Sequence, residues 1–304
     1  MKKHPRRRIR KRNLLLCLYS IPFVVYIILF CYVPLMGWGF AFFRYKPGMR
    51  FDRLTFEGLK YFRLVFDYWP DTWNALRNTL VLSGLNYLFS FAPVILAIML
   101  NEVRSRALKR IVQTVVTLPN FVSWIIVYSM CFSIFSWDGL LNRFLLHLGW
   151  IKQPATLLAD ANIAWIFQTL LGQWKSVGWS AIVYIAAIAN IDSQLYDAAK
   201  VDGAGPFQCI LHITIPGVMP TFIVLFILSM GHILSVGFDQ YYVFNNPMVA
   251  TKLEGLDLYT YRLGIGSQDY SFATAVGILK SLVSISSVFL VNFLAKKIRG
   301  EAVI

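Results

Sequence analysis

The chain has 304 residues, of which 57% are hydrophobic and only 14% charged, and its formal net charge is +14. That much apolar surface cannot be buried in one water-facing core, which excludes an ordinary soluble domain and makes a lipid bilayer the expected solvent. The basic excess does not indicate nucleic-acid binding, because Lys and Arg lie between apolar runs rather than across a polar surface. The four cysteines lack the paired spacing of a disulfide framework or a zinc site, so no metal site is predicted.

Six apolar windows, each long enough to cross roughly 30 Å of hydrocarbon, predict an all-α, polytopic membrane protein with six transmembrane helices. In chain order they are 14–36, 78–100, 111–136, 163–189, 218–238 and 273–295. We expect the first window to be a retained anchor rather than a signal peptide, because it is long and lacks a small-residue cleavage site.

The distribution of charge predicts that both termini are cytoplasmic. Eight Lys and Arg residues precede residue 14 and four lie in 101–110, whereas the acidic residues are concentrated in the alternate loops. The predicted parts are a basic N-terminus (1–13), a transmembrane domain (14–295) with a cytoplasmic loop (191–217) and extracytoplasmic loops (44–77, 137–162, 239–272), and a cytoplasmic tail (296–304). The aromatic residues of the first two outer loops predict helices lying along the membrane interface.

Polar and charged residues inside spans are costly and mark candidate solute pathways. The fourth and fifth windows supply six candidate pathway residues: Lys175, Ser176, Trp179, Ser229, His232 and Ser235. The first three share one side of a helix, and the last three recur at three-residue spacing, which predicts a polar stripe. The competing interpretation is packing, because Ser in membrane helices commonly bonds its own backbone or a neighbouring helix. Lys280, near the outer end of the sixth window and so close to its first residues, is expected to extend to the interface.

The cytoplasmic loop between the fourth and fifth windows, "YDAAKVDGAGPFQCILHITIPGVMP", predicts two short helices joined by a tight bend. Asp192 or Ser193 can cap the first helix, Gly203 or Gly205 permits the chain reversal, and Pro206 suits the first turn of the second helix. Pro216 is expected to help end that second helix. A loop held by its own local contacts in this way is stiff and can transmit a movement of a bound partner to the helices that it joins.

This loop resembles the signature loop of the permease subunits of binding-protein-dependent ABC importers, which reads Glu-Ala-Ala, three residues, Gly, and then an apolar-x-x-Pro end. The matching positions are Asp197, Ala198, Ala199, Gly203, Ile213 and Pro216. Asp197 departs from the usual Glu but keeps the charge. The stretches "YVPLMGWGFAFFRYKP", "GLKYFRLVF", "NALRNTLVLS" and "VGFDQYYVFNNP" extend the resemblance, over nearly the whole chain, to the oligosaccharide permeases of the lipoprotein-associated type that includes alginate and pectin-fragment importers.

The resemblance implies the type I ABC importer permease fold, in a bacterial cell membrane, and a role in moving an oligosaccharide. It implies that Asp197, Ala198, Ala199, Asp202, Gly203, Ala204 and Pro216 couple the chain to an ATPase. The implied partners are two ATP-binding subunits, a second homologous permease and an extracytoplasmic solute-binding lipoprotein. No GxxxxGK[ST] occurs in the sequence, so we expect no catalytic residues and no cofactor in this chain, with ATP and Mg²⁺ bound by the partner ATPase.

Three alternatives remain beside this interpretation. An unpaired Lys175 ammonium in the pathway would favour a carboxylate-bearing sugar over a neutral one, whereas neutralisation by Asp239 or by the partner permease would remove that preference. The chain could instead be a permease for a non-sugar solute, or an ion-coupled secondary transporter that needs no ATPase, although secondary transporters usually show inverted repeats with broken helices. A membrane-embedded enzyme would need clustered His, Asp or Glu, and the four histidines are scattered along the chain.

Overall fold

The chain forms fifteen α-helices and one short hairpin within residues 6–299, which are the residues that the computed structural model describes, with side chains described for 16–50 and 52–293. Residues 1–5 and 300–304 of the two predicted cytoplasmic termini lie outside the described part. The helices are α1 Arg6–Ile27, α2 Lys60–Asp67, α3 Trp69–Leu88, α4 Ala92–Glu102, α5 Arg106–Thr117, α6 Trp124–Phe135, α7 Leu140–His147, α8 Ala164–Ala189, α9 Ser193–Val201, α10 Pro206–Cys209, α11 Ile215–Met230, α12 Phe238–Phe244, α13 Ala250–Leu253, α14 Leu256–Tyr261 and α15 Tyr270–Arg299.

Shorter elements connect these helices. Three π-helical segments cover Ile28–Tyr32, Ile210–Thr214 and Arg262–Gly266, and four 3₁₀ segments cover Val33–Phe42, Phe51–Arg53, Leu118–Phe121 and Leu157–Ala159. Strands β1 Phe43–Arg44 and β2 Thr55–Phe56 pair antiparallel, with Phe43 opposite Phe56.

Five helical stretches are long and apolar enough to cross a membrane, and α8 with α9 brings the number to six although the pair is bent by 67°. The five are Leu16–Phe42, Trp69–Glu102, Trp124–His147, Pro206–Met230 and Tyr270–Phe293. The predicted fourth and sixth windows agree closely with α8 and α15. The all-α, multispan prediction is therefore confirmed.

The third and fifth windows differ from the observed helices. The third window, 111–136, contains two helices, because Pro119 lacks an N–H and the chain leaves α-helical geometry between α5 and α6. The fifth helical stretch begins at Pro206 rather than 218 and ends at Met230 rather than 238. The prediction that His232 and Ser235 lie on the fifth spanning helix is therefore wrong, since both follow its last residue.

The chain divides into two compact units, the first formed by Met1–Asp67 with Thr260–Ile278 and the second by Tyr68–Tyr259 with Leu279–Ile304. In the first unit, the buried hydroxyl of Ser271 donates to the carbonyl of Phe43 at 2.7 Å and accepts from the N–H of Tyr45 at 3.0 Å. This residue thereby attaches the start of α15 to the β1 strand. The aromatic rings of Phe40 and Tyr45 stack beside it, with centroids 4.2 Å apart.

The second unit contains two buried apolar clusters. One comprises Leu82, Val127, Cys131, Ala164, Tyr241, Phe244, Val249 and Leu253, and the other comprises Ala97, Ala181, Tyr184, Ile188, Val218 and Phe222. Helix α8 contributes to both clusters, because Ala164 lies at its start and Ala181, Tyr184 and Ile188 lie near its end. It is therefore the element against which the rest of this unit packs.

Residues 239–259, called the 239–259 segment below, belong to the second unit and are more ordered than the predicted loop 239–272 suggested. The buried Asn78 amide donates to the carbonyls of Thr251 and Glu254, at 3.0 Å each. The Thr79 hydroxyl accepts from the N–H of Leu256 at 2.8 Å. Helix α3 therefore holds this segment through two consecutive polar residues.

Candidate functional site

Residues 191–217, called the 191–217 segment below, begin with a helix whose start is fixed by its own sequence. The Asp192 carboxylate accepts from the N–H of Gln194 at 2.9 Å, which makes Asp192 the N-cap of α9. Of the two capping residues predicted from the sequence, the structure selects this one.

The bend that follows α9 is a Schellman motif centred on Gly203. The N–H of Ala204 donates to the carbonyl of Ala199 at 2.8 Å, and the N–H of Gly203 donates to that of Lys200 at 3.1 Å. Gly203 has φ +81°, a left-handed conformation that a Cβ disfavours, whereas Gly205 has φ −76°. Of the two glycines predicted to permit the chain reversal, Gly203 is therefore the one that does so.

The second helix begins at Pro206 as predicted, and the Gln208 side chain accepts from the N–H of Gly205 at 2.8 Å. The hydroxyls of Tyr196 and Thr214 meet at 2.9 Å and close the hairpin between α9 and the following helix. The 191–217 segment is thus braced by its own hydrogen bonds.

Pro216 does not end the second helix, and this part of the prediction is wrong. The chain runs from α10 through the π-helical segment Ile210–Thr214 into α11, so the helical stretch continues past Pro216 to Met230. A proline inside an α-helix would clash with the carbonyl four residues earlier and leave one carbonyl unbonded. The π segment ends at Thr214, so Pro216 lies in the first turn of α11, where a missing N–H is tolerated, and the N–H of Ile215 bonds to the carbonyl of Ile210.

The outward face of the 191–217 segment carries large apolar side chains. Val201 is 88% exposed and Phe207 is 76% exposed, and Leu195 lies on the same segment at 53%. A cleft of about 340 Å³ lies beside the bend and is lined by Ala199, Asp202, Gly203, Ala204, Gln208, Cys209, His212 and Ile213. Exposed apolar anchors next to a cleft on a braced segment are typical of a protein-docking surface.

A second cleft, of about 380 Å³, lies between α8 and α11 and is called the Ser176 cleft below. Its lining residues are Ser90, Pro93, Gln173, Ser176, Trp179, Ser180, Val183, Tyr184, Phe222, Leu225, Phe226 and Ser229. It brings together three of the six predicted pathway residues: Ser176, Trp179 and Ser229. Hydroxyl and amide groups alternate here with aromatic rings, the combination of groups that bind sugar hydroxyls and the apolar faces of sugar rings.

The serines of the Ser176 cleft differ in how their hydroxyl protons are used. Ser176 donates to the carbonyl of Gly172 at 2.8 Å, and Ser229 donates to that of Phe226 at 2.7 Å. The Ser90 hydroxyl, by contrast, is buried without a hydrogen-bond partner in the described part of the chain. Ser90 was not predicted, although its position shortly before Pro93, where α3 gives way to α4, was a signal in the sequence.

Lys175 points away from the lining of the Ser176 cleft. Its ammonium group donates to the carbonyl of Asn120 at 2.7 Å and lies 5.3 Å from the centre of the Trp124 ring. The turn between α5 and α6 therefore supplies an acceptor and an aromatic face for this ammonium, whereas the alternative of neutralisation by Asp239 is not seen among the described side chains. His232 and Ser235 are exposed in the turn after α11 and are not part of the cleft lining.

Lys280 does not simply extend to the interface, since it forms a partly buried ion pair with Asp257 of α14.

Comparisons with known proteins identify the family. Residues 89–300 match the family described as the binding-protein-dependent transport system inner membrane component. The chain is 41% identical over 295 residues to Protein LplB of Bacillus subtilis, covering 96% of this chain and 91% of that protein. It is 39% identical to the polygalacturonan/rhamnogalacturonan transport system permease protein YteP of the same organism, covering 95% and 89%.

The fold also matches a solved structure, a bacterial ABC transporter involved in the import of the acidic polysaccharide alginate. The TM-score is 0.85 at 34% identity, covering 97% of this chain and 100% of that one. A second structure of a bacterial alginate ABC transporter, in complex with an alginate pentasaccharide-bound periplasmic protein, matches with TM-score 0.86. The predicted fold class, an all-α ABC importer permease, is confirmed, and the chain belongs to the family of inner membrane components of binding-protein-dependent transport systems.

Proposed function

We propose that this chain is the permease subunit of an ATP-driven importer that moves an oligosaccharide from a solute-binding lipoprotein into the cytoplasm. The observation that carries the proposal is the 191–217 segment, a self-braced hairpin that presents Val201 and Phe207 beside a cleft. In the proposed complex this segment docks on one of two ATP-binding subunits, which bind ATP and Mg²⁺. The segment and both chain termini would face the cytoplasm of a bacterial cell.

The proposed path of the sugar includes the Ser176 cleft, with a second homologous permease completing it. Trp179 lines this cleft and is 50% exposed, with the Phe121 ring packed against it in a T-shaped arrangement, centroids 5.6 Å apart; its exposed part is the proposed contact for a sugar ring. Support for an oligosaccharide comes from the names of the relatives, since one is a polygalacturonan/rhamnogalacturonan permease and two belong to alginate importers. His232 and Ser235 remain in the proposal only as exposed residues that follow the end of the spanning helix at Met230.

Copurification from the native membrane tests the assembly. We expect an ATPase and a second permease to be retained with the tagged full chain in mild detergent, and a Val201→Asp/Phe207→Asp variant to lose the ATPase while keeping the second permease. Trp150→Asp/Met248→Asp, which places two charges on exposed apolar positions outside the candidate membrane spans, is the matched control. Recovery of the chain as a homo-oligomer without an ATPase, combined with uptake driven by an ion gradient, would establish a secondary transporter instead.

An acidic oligosaccharide is the sharper form of the proposal. Among the described side chains the Lys175 ammonium, which lies outside the lining of the Ser176 cleft, bonds to a carbonyl rather than a carboxylate, so its charge is not neutralised by an ion pair there and acts on a uronate in the path at a distance rather than by direct contact. We expect Lys175→Met to reduce uptake of an acidic oligosaccharide about 10-fold more than uptake of a neutral one of equal length, with Lys175→Arg intermediate. Equal losses for both sugars would assign Lys175 to holding the Asn120 turn.

A further inference from the structure

Helix α5 carries a basic cluster that the proposed function does not use. Arg104 lies in the linker after α4, and Arg106, Lys109 and Arg110 lie in the first turns of α5, so four cations fall within residues 104–110. In the part of the chain that the structure describes, none of them forms an ion pair with a carboxylate. Their charge is therefore available to an anion from outside the chain.

The same helix exposes an apolar stripe. Leu108, Ile111 and Val115 are 50%, 60% and 58% exposed, and their spacing of three and four residues places them along one side of the helix. Leu118, the first residue of the following 3₁₀ segment, is 55% exposed and continues the stripe. At 100° per residue Arg110 lies about 100° from Ile111 around the helix and Arg106 about 140°, so both cations lie beyond one edge of the stripe. Apolar residues with cations beside them in the first turns are the arrangement of a helix that lies at a membrane interface.

We propose that α5 binds an anionic phospholipid, with Arg106 and Arg110 contacting the headgroup phosphate and the apolar stripe contacting the acyl chains. Charge complementarity selects this occupant: clustered cations next to a membrane span attract anionic headgroups, and a zwitterionic lipid offers no net charge to them. Arginine also matches phosphate oxygens in a bidentate geometry. Free phosphate would satisfy the cations but would leave the stripe uncovered.

The opposite side of α5 packs against α8, so lipid binding on α5 is connected through this contact to the rest of the second unit. An added Cβ at Gly178 of α8 would collide with the carbonyl of Val116, so glycine allows the two backbones to approach closely. Three residues earlier on α8, Lys175 bonds to the carbonyl of Asn120 just beyond the end of α5. Helix α8 then leads directly into the 191–217 segment, so the lipid-bearing helix rests on the element that carries the docking surface.

Native mass spectrometry of the purified full chain tests the binding, with phosphatidylglycerol and phosphatidylcholine titrated separately. We expect the wild-type chain to prefer phosphatidylglycerol and Arg106→Gln/Arg110→Gln to lose about 30-fold in affinity for it, the size expected for removing two cations from an anionic surface. Arg106→Lys/Arg110→Lys should retain most of the binding. The preference should also weaken as salt is raised.

Lys46→Gln/Lys152→Gln, which removes two exposed charges from other loops, is the matched control and should bind phosphatidylglycerol as the wild type does. Equal affinity of the wild type for the two lipids would overturn the proposal, and so would an equal loss in the control. Displacement of the lipid by inorganic phosphate would assign the cations to a free anion. A dimer of the chain that Ile111→Gln dissociates would assign the stripe to a protein contact. None of these results depends on the proposed substrate or on the ATPase.

Discussion

The 191–217 segment and the 239–259 segment are both short-helix connections, yet different kinds of contact organise them. In the first, the cap, the Schellman bend and the Gln208 bond join residues no more than five positions apart. In the second, Asn78 and Thr79 of α3 form hydrogen bonds with residues of the segment that lie more than 170 positions away along the chain. A local motif can be recognised from sequence, whereas bonds between distant residues depend on which helices pack together.

The two segments also differ in whether their apolar side chains are exposed or buried. The 191–217 segment projects Leu195, Val201 and Phe207 outward, while the 239–259 segment buries Tyr241, Phe244, Val249, Leu253 and Tyr259. A stable connection with an exposed apolar face is suited to a partner outside the chain. A connection with a buried apolar face is suited to fixing the ends of the helices that it joins.

The largest loss of stability is expected when the distant bonds of the 239–259 segment are removed. Asn78→Leu keeps the volume of the side chain but removes the two donors that the carbonyls of Thr251 and Glu254 use. We expect a loss of about 2–3 kcal/mol in the free energy of unfolding, because buried carbonyls would be left without their partner. Unfolding in detergent would measure it, with the exposed Asn162→Ala as control; equal stability of both variants would show that α3 does not hold the segment.

A smaller loss of stability, with a larger effect on transport, is expected at the bend of the 191–217 segment. Gly203→Val places a β-branched residue at φ +81°, which costs about 1–2 kcal/mol locally. We expect membrane insertion to persist, while the amount of sugar taken up per ATP hydrolysed falls at least 10-fold. Gly205→Ala, at φ −76°, is the matched control and should transport normally. Normal coupling in Gly203→Val would contradict the role assigned to this bend.

The smallest effect is expected for the surface ion pair of the 191–217 segment. Lys200 and Asp197 are 3.2 Å apart, but their side chains are 69% and 72% exposed. Lys200→Ala should therefore change the free energy of unfolding by less than about 0.5 kcal/mol. Asp197→Ala should be equally mild for stability yet should weaken retention of the ATPase in copurification, because the proposed docking brings this carboxylate against the partner. A loss of stability in either variant would mean that the segment is braced by charge.

The candidate pathway residues also divide into those that local helical spacing placed correctly and those whose surroundings depend on distant parts of the chain. Ser176 and Trp179 were found from their spacing on a helix that exists, and they line the Ser176 cleft. His232 and Ser235 were predicted from an equally regular spacing, but the helix ends at Met230 before either is reached. Lys175 was predicted to lie on the same side of the helix as Ser176. The close approach of α5 at Gly178 instead places the Asn120 carbonyl within reach of its ammonium group. Periodicity assigns a side of a helix and leaves open what lies against that side.

The sequence alone determined the all-α membrane class and the start of the second helix at Pro206, and it narrowed the cap to Asp192 or Ser193 and the bend to Gly203 or Gly205, because hydropathy and turn chemistry act over a few neighbouring residues. Only the tertiary structure decided that the helix passes through Pro216 by way of a π turn, that Asn78 and Thr79 hold the 239–259 segment, and that Ser90 joins the Ser176 cleft. These features depend on which backbones approach one another closely, and that is fixed by the packing of whole helices rather than by any short stretch of the chain.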